Sequence, residues 1–153
     1  MSLRIYRDGP GWTNSHVHRW RWTKAAVKFA DDTGPPVRQA LSDEAPKKTG
    51  SLALSIRYRR NTQAGDGVQL FFETPKRYAK WVIGGAAPHG IEPVAARFLH
   101  FFWEREGRWF VRGLHVNHPG IERPNDFPAR VLEAKRDDIE RNFSRAVEDS
   151  FKE

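Results

Sequence analysis

Residues 98–116 constrain this chain more than any other stretch. Phe98 to Trp103 and Arg108 to Val116 flank Glu104-Arg105-Glu106-Gly107, which predicts a β-hairpin. Both arms carry apolar residues on both faces, with Phe101 beside Phe102 and Trp109 beside Phe110. Successive side chains of a strand point to opposite sides, so this hairpin needs cover twice over. The cover comes from helices of the same chain or from a neighbouring subunit.

Around it the patterns divide cleanly. Thr13 to Glu44 reads as helix, with Thr13, Asn14 and Ser15 as N-cap candidates and Val17, Trp20, Ala25, Val27, Phe29 and Ala30 as an apolar stripe. Gly34-Pro35-Pro36 predicts a break, because proline lacks the N–H and its ring crowds the preceding turn. A short helix over Pro36 to Ser42 follows, and Pro46 with Thr49-Gly50 ends the helical region. Ser51 to Arg60 reads as strand, with Leu52, Leu54, Ile56 and Tyr58 on one face. Asn61 to Gly67 reads as a loop, and Val68 to Glu73 as a second strand antiparallel to the first. Arg77 to Ile83 fits a short helix and a strand equally well. Gly84 to Pro93 and Asn117 to Asn125 read as loops. Asp126 caps a final helix with Pro128 in its first turn, where Val131, Leu132, Ile139, Phe143, Ala146, Val147 and Phe151 recur at helical spacing.

The expected class is therefore α+β: a mainly antiparallel sheet, an N-terminal helix broken near Gly34–Pro36 and a long C-terminal helix. No linker or repeat divides the 153 residues, so one domain is expected, with a helical region over about 13–44, sheet over about 51–116 and helix over about 127–151. Ten Phe and six Trp supply core. There is no cysteine, which excludes disulfides and thiolate zinc sites. The N-terminus lacks the apolar run of a signal peptide, and no stretch reaches membrane-span length, so a soluble protein is expected.

Side-chain chemistry offers little to an enzyme. His115 and His118 stand three apart, but at a strand end and in a Pro-Gly turn, and His16 and His18 diverge on a helix. No zincin motif, nucleophile elbow or phosphate-binding loop is present. Asp31-Asp32 and Asp137-Asp138 read as solvated helix charge. No catalytic residue, metal or cofactor is expected. The net charge of +7 is dispersed along the chain. Its sharpest local expression is Arg19-Trp20-Arg21-Trp22 with Lys24, where arginine and tryptophan together suit bases and phosphates. A basic nucleic-acid-binding module using Arg19, Arg21, Trp22 and Lys24 is thus the alternative reading. The structural account of the same residues is an inward Trp20 with snorkelling arginines, or Trp22 as a subunit anchor.

Four stretches in order resemble a family of siphophage neck or tail-component proteins. Ala45-Pro46-Lys47-Lys48-Thr49-Gly50-Ser51-Leu52-Ala53-Leu54-Ser55-Ile56 is similar to the family's helix end, Thr-Gly turn and Leu-x-x-Ser-Ile strand. Tyr78 to Gly84 is similar to the segment after the first hairpin, and Pro88-His89-Gly90-Ile91-Glu92-Pro93 to a Pro-His-x-Ile-x-Pro loop. Val116-Asn117-His118-Pro119-Gly120, then Pro124 and Phe127, resembles the closing element. The resemblance spans about Trp20 to Phe151; the Gly34-Pro35-Pro36 break departs from the family's long first helix.

The resemblance implies a non-enzymatic virion protein of the neck, assembled in the host cytoplasm as a hexameric or dodecameric ring. Its implied partners are further copies of itself, the head-completion (stopper) and tail-terminator proteins, and genomic DNA held non-specifically in the channel. No membrane is involved. His89 and His118 are expected to pin Pro/Gly loops, with Gly84, Gly85 and Gly120 as their turns. Trp103, Trp109, Phe110 and Phe71 are the candidate interface residues, on the Phe98–Val116 hairpin and beside the Asn61–Gly67 loop.

Overall fold

The computed structural model describes residues 2–5, 16–47, 49–63, 67–94, 97–103, 106–112, 115–121 and 124–152, with side chains for all of these except 2–5, 16–19, 63, 103 and 112. The proposed N-caps Thr13, Asn14 and Ser15 lie outside the described residues. A long helix in the N-terminal half, helices at the C-terminal end and small antiparallel sheets make the chain α+β, in agreement with the sequence pattern, although a strand that the sequence reading did not anticipate precedes the first helix. The residues fall into two compact units, Met1–Ala79 with Asp126–Glu153, and Lys80–Asn125.

In the first unit, α1 (His16–Glu44) is one helix of 29 residues. The expected break at Gly34-Pro35-Pro36 does not occur, and three features let the helix continue. Gly34 has no Cβ to collide with the Pro35 ring, the collision that usually drives a pre-proline residue out of the helical region. Both prolines lie on the exposed side of the helix. The carbonyl of Asp32, which Pro36 cannot satisfy, accepts instead from the Asn142 side-chain amide at 3.4 Å.

The buried face of α1 is Trp22, Ala25, Ala26, Phe29, Ala30, Thr33, Val37 and Leu41. This corrects the stripe read from sequence: Trp20 is 60% exposed and Trp22 is core. After α1, Gly50 turns at φ 68° into α2 (Ser51–Ser55), a five-residue helix that buries Leu52 and Ala53. The strand expected from Ser51 therefore begins only at β2 (Arg57–Gln63). Leu52 and Ile56 are four apart, a spacing that serves a helix turn as well as strand alternation. Leu54, which the strand reading placed inward, is 87% exposed.

β2 pairs antiparallel with β3 (Gly67–Glu73) in the register Arg57↔Glu73, Arg59↔Phe71, Asn61↔Gln69. Both strands extend into the segment read as the Asn61–Gly67 loop. The N-terminal strand β1 (Ser2–Ile5) completes the sheet on the far side of β3, giving the order β1-β3-β2. Val68, Leu70 and Phe72 point from β3 into the core, each under 7% exposed. The fold closes through α4 (Phe127–Ala134) and α5 (Arg136–Lys152), two helices where one was expected. Asp126 caps α4 as expected, its carboxylate accepting from the Ala129 N–H at 3.3 Å. Phe143 of α5 meets the edges of Trp22 and Phe29 at 6.1 and 5.7 Å between ring centres, which locks α5 to α1.

The second unit holds most of α3 (Ala79–Gly84), then β4 (His89–Ile91), β5 (Leu99–Trp103), β6 (Arg108–Arg112) and β7 (Val116–His118). β5 and β6 form the expected hairpin, with β6 ending at Arg112 and not at Val116, while β4 lies inside the Gly84–Pro93 segment read as a loop and pairs with β7, which runs from Val116 into the Asn117–Asn125 loop.

Candidate functional site

The hairpin of the second unit presents an uncovered aromatic face. Its register sets His100 opposite Val111 and Phe102 opposite Trp109 on one side, and Phe101 opposite Phe110 on the other. On the first side the Trp109 ring stacks on His100 at 4.7 Å and takes Phe102 edge-on at 5.5 Å. Cross-strand contacts of this kind stiffen a short hairpin. Yet Phe102, Trp109 and Val111 remain 47%, 63% and 65% exposed. The second side is quieter. Phe101 and Phe110 stack at 6.2 Å and are half-buried, with the Arg108 guanidinium 4.6 Å over Phe110. Leu99 and Phe101 there line an apolar pocket of about 290 Å³ with Ile91 and Val116 of the β4–β7 ribbon.

The double cover demanded by the sequence is thus met on one face from within the unit and left open on the other. Among the candidate interface residues, Trp109 stands on the open face and Phe110 on the half-covered one. Trp103 pairs with Arg108 in the register, and its side chain lies outside those described. Phe71 is elsewhere, in β3 of the first unit, half-buried with the Arg59 guanidinium 4.6 Å over its ring. Phe102 and Val111 belong to the open face and were not singled out from sequence. Strand alternation from Trp109 would have found them.

The β4–β7 ribbon is held by its histidines and glycines. His89 faces His118 in the register, and the rings stack at 5.1 Å. His89 Nδ1 bonds the Ala87 carbonyl at 3.0 Å, and His118 Nδ1 accepts from the Gly120 N–H at 3.0 Å. Each imidazole therefore ties the turn beside it. Gly85 and Gly120 have φ of 77° and 83°, beside the Ala86↔Ile121 bridge. A Cβ at Gly85 would stand 2.8 Å from the Ile121 carbonyl oxygen, and one at Gly120 would meet the backbone of Ala86 to Pro88. Gly84 is different: it ends α3, and a Cβ there meets nothing. His118 offers its Nδ1 to a backbone amide, which commits that nitrogen to tying the loop. No three His, Asp or Glu among the described residues gather as a metal-holding group.

One of the residues proposed for nucleic acid is withdrawn into the core. Trp22 is 6% exposed and packed on Phe143, so no base can stack on it. Arg21 lies 6.0 Å over the Phe151 ring, and Lys24 lies 5.5 Å over the exposed Trp20. The side chain of Arg19 is outside those described. The groove beside Trp20 and Lys24 is lined by Asp31 and Asp32 as well as Lys28, and Lys28 is ion-paired to Asp32 and Asp149 at 3.5 and 3.8 Å. That is a charge-balanced groove. Among the described residues no helix is long and apolar enough to cross a membrane.

No curated protein and no solved structure matches the chain. One family model does, over residues 15–85, and its description is Bacteriophage HK97-gp10, putative tail-component. From α1 through α2, β2 and β3 to α3, the chain is therefore similar to the HK97-gp10-like phage tail components, the kind of family its own motifs resemble.

Proposed function

We propose that the chain is a structural virion protein of the head–tail junction, a subunit that closes into a ring around the DNA channel. The stoichiometry read for it is a hexamer or dodecamer. Its axial neighbours are the head-completion (stopper) and tail-terminator proteins, and genomic DNA passes through without sequence readout. The match to a phage tail-component family supports the virion role and a function without catalysis. The observation that carries the ring is the open face of the hairpin, where Phe102, Trp109 and Val111 stand together uncovered. A patch of large apolar side chains on one face of a hairpin is what a repeated subunit contact requires.

Trp109 is 63% exposed. An aromatic side chain buries some 150–250 Å², so covering the exposed part of this one removes about 100–150 Å² from water. At about 25 cal/mol/Å² that contributes roughly 2.5–4 kcal/mol per contact. Trp109→Glu should therefore weaken each subunit contact by about two orders of magnitude, read as loss of the assembled mass by light scattering at matched concentration. A Trp109→Glu chain that still assembles like the parent would show that the ring closes through another surface.

A further inference from the structure

We propose that the open face of the β1-β3-β2 sheet is a contact for the phosphodiester backbone of duplex DNA, with Arg57 and Arg59 as its phosphate ligands. Because β3 turns Val68, Leu70 and Phe72 towards α1, strand alternation turns Gln69, Phe71 and Glu73 to the other side. The register then sets Arg57 beside Glu73, Arg59 beside Phe71 and Asn61 beside Gln69 on that side. Among the described side chains, that side carries two arginines, two amides and one aromatic ring, with one carboxylate among them.

The arginines are arranged for anions. Arg57 is exposed and has no ion pair among the described residues. Arg59 lies 4.6 Å over the Phe71 ring, which holds the guanidinium, and the side chain remains exposed, where a bidentate acceptor can reach it. Its ion pair with Glu73 is 3.6 Å long, with the two side chains 57% and 56% exposed, a pair weak enough to exchange for a phosphate. Residues two apart on a strand are about 6.7 Å apart, so the two cations form a row that a periodic polyanion can follow. Asn61 and Gln69 add neutral donors for sugar and phosphate oxygens. Arg60, the third arginine of the same strand, turns the other way and pairs with Asp31. The basic face is thus a property of one side of the sheet and not of strand composition.

The inference rests on the head–tail reading for the presence of DNA beside the subunit, and its test separates the two. The full chain is titrated against a short fluorescent duplex by anisotropy at several salt concentrations, with light scattering on the same samples. Arg57→Ala/Arg59→Ala should weaken binding at least tenfold and make log K against log [salt] shallower by about 1.8, about 0.9 for each lost phosphate contact. Arg60→Ala removes a charge from the opposite face and should stay within about twofold of the parent. All three arginines are exposed, and far-ultraviolet circular dichroism checks that each variant is folded.

The proposal is overturned if the parent shows no affinity at low salt. It is also overturned if the double variant binds like the parent, if Arg60→Ala weakens binding as much as Arg59→Ala, or if poly-glutamate of matched charge binds equally well. A parent that binds as expected without assembling sinks the ring alone, and a ring indifferent to DNA sinks this face alone.

Discussion

Replacing Gly34 by alanine separates helix propensity from packing at one atom. Propensity alone predicts a gain, since alanine is favoured over glycine by about 1 kcal/mol inside a helix. The structure predicts a loss. A Cβ at Gly34 would collide with Cζ and both Cε atoms of the Tyr58 ring, which reaches α1 from β2. Moving that ring breaks the hydrogen bond from its hydroxyl to the Ala30 carbonyl, 2.7 Å long, and disturbs its stack on Phe72 at 5.6 Å. The hydrogen bond contributes about 1 kcal/mol and overpacking costs about 1–3 kcal/mol. The new methyl also restores the collision with Pro35. Set against the propensity gain, the net expectation is a destabilisation of about 2 kcal/mol, or roughly 4–8 °C in melting temperature. Urea unfolding of the full chain measures it. In a Tyr58→Ala background the same substitution should be neutral or stabilising, giving a coupling of about 2–3 kcal/mol between the two sites. Should Gly34→Ala stabilise the otherwise unaltered chain, the close approach of Tyr58 to the helix is not what requires glycine there.

Two further expectations concern stability. Burial, with a smaller contribution from Asp31 and partly offset by Arg60, holds the Tyr58 phenol above its ordinary pKa. The unfolded chain then ionises first, so the stability that Tyr58 contributes is complete below about pH 10 and is lost as pH rises through its folded value. Tyr58→Phe should flatten that alkaline decline in denaturation midpoints, and parallel declines in the two proteins would contradict it. At the other end of the unit, Asp126→Ala removes the cap of α4 and should cost about 1 kcal/mol by urea unfolding, whereas Asp126→Asn should retain most of it. An Asp126→Ala chain as stable as the parent would mean that the Ala129 amide is satisfied equally well by water.

What was legible in the sequence was what local rules decide. Asp126 before Pro128 marks a helix start by capping chemistry alone. Residues 68–73 and the arms of the aromatic hairpin declare themselves by composition and alternation. The continuity of α1 was not legible, because the donor that replaces the missing Pro36 N–H comes from Asn142, 110 residues away in sequence. The buried tryptophan was legible but overlooked: Trp22 is in phase with Ala25, Ala26, Phe29, Ala30, Thr33 and Val37 at helical spacing, whereas Trp20 shares its face with Lys24, Val27 and Asp31. β4 and β7 have three residues each, too few to show any period, and they exist because each finds the other. The open face of the sheet was hidden for a related reason. Arg57, Arg59 and Phe71 come together only once the register of two strands is fixed.

The first unit is assembled from the two ends of the chain, and Asn142 reaches Thr33 across a sequence separation of 109 residues. This is a long loop closure, and its entropic cost grows only as the logarithm of the intervening length. Had the second unit been absent, the closure would have cost only about 0.5 kcal/mol less, below the value of one ordinary hydrogen bond. The stretch between Ala79 and Asp126 is therefore a place where the chain can lengthen or shorten with almost no thermodynamic penalty to the helices that close around it. Evolution or a designer can exchange one attached module for another there while the closure of the first unit is left almost unchanged.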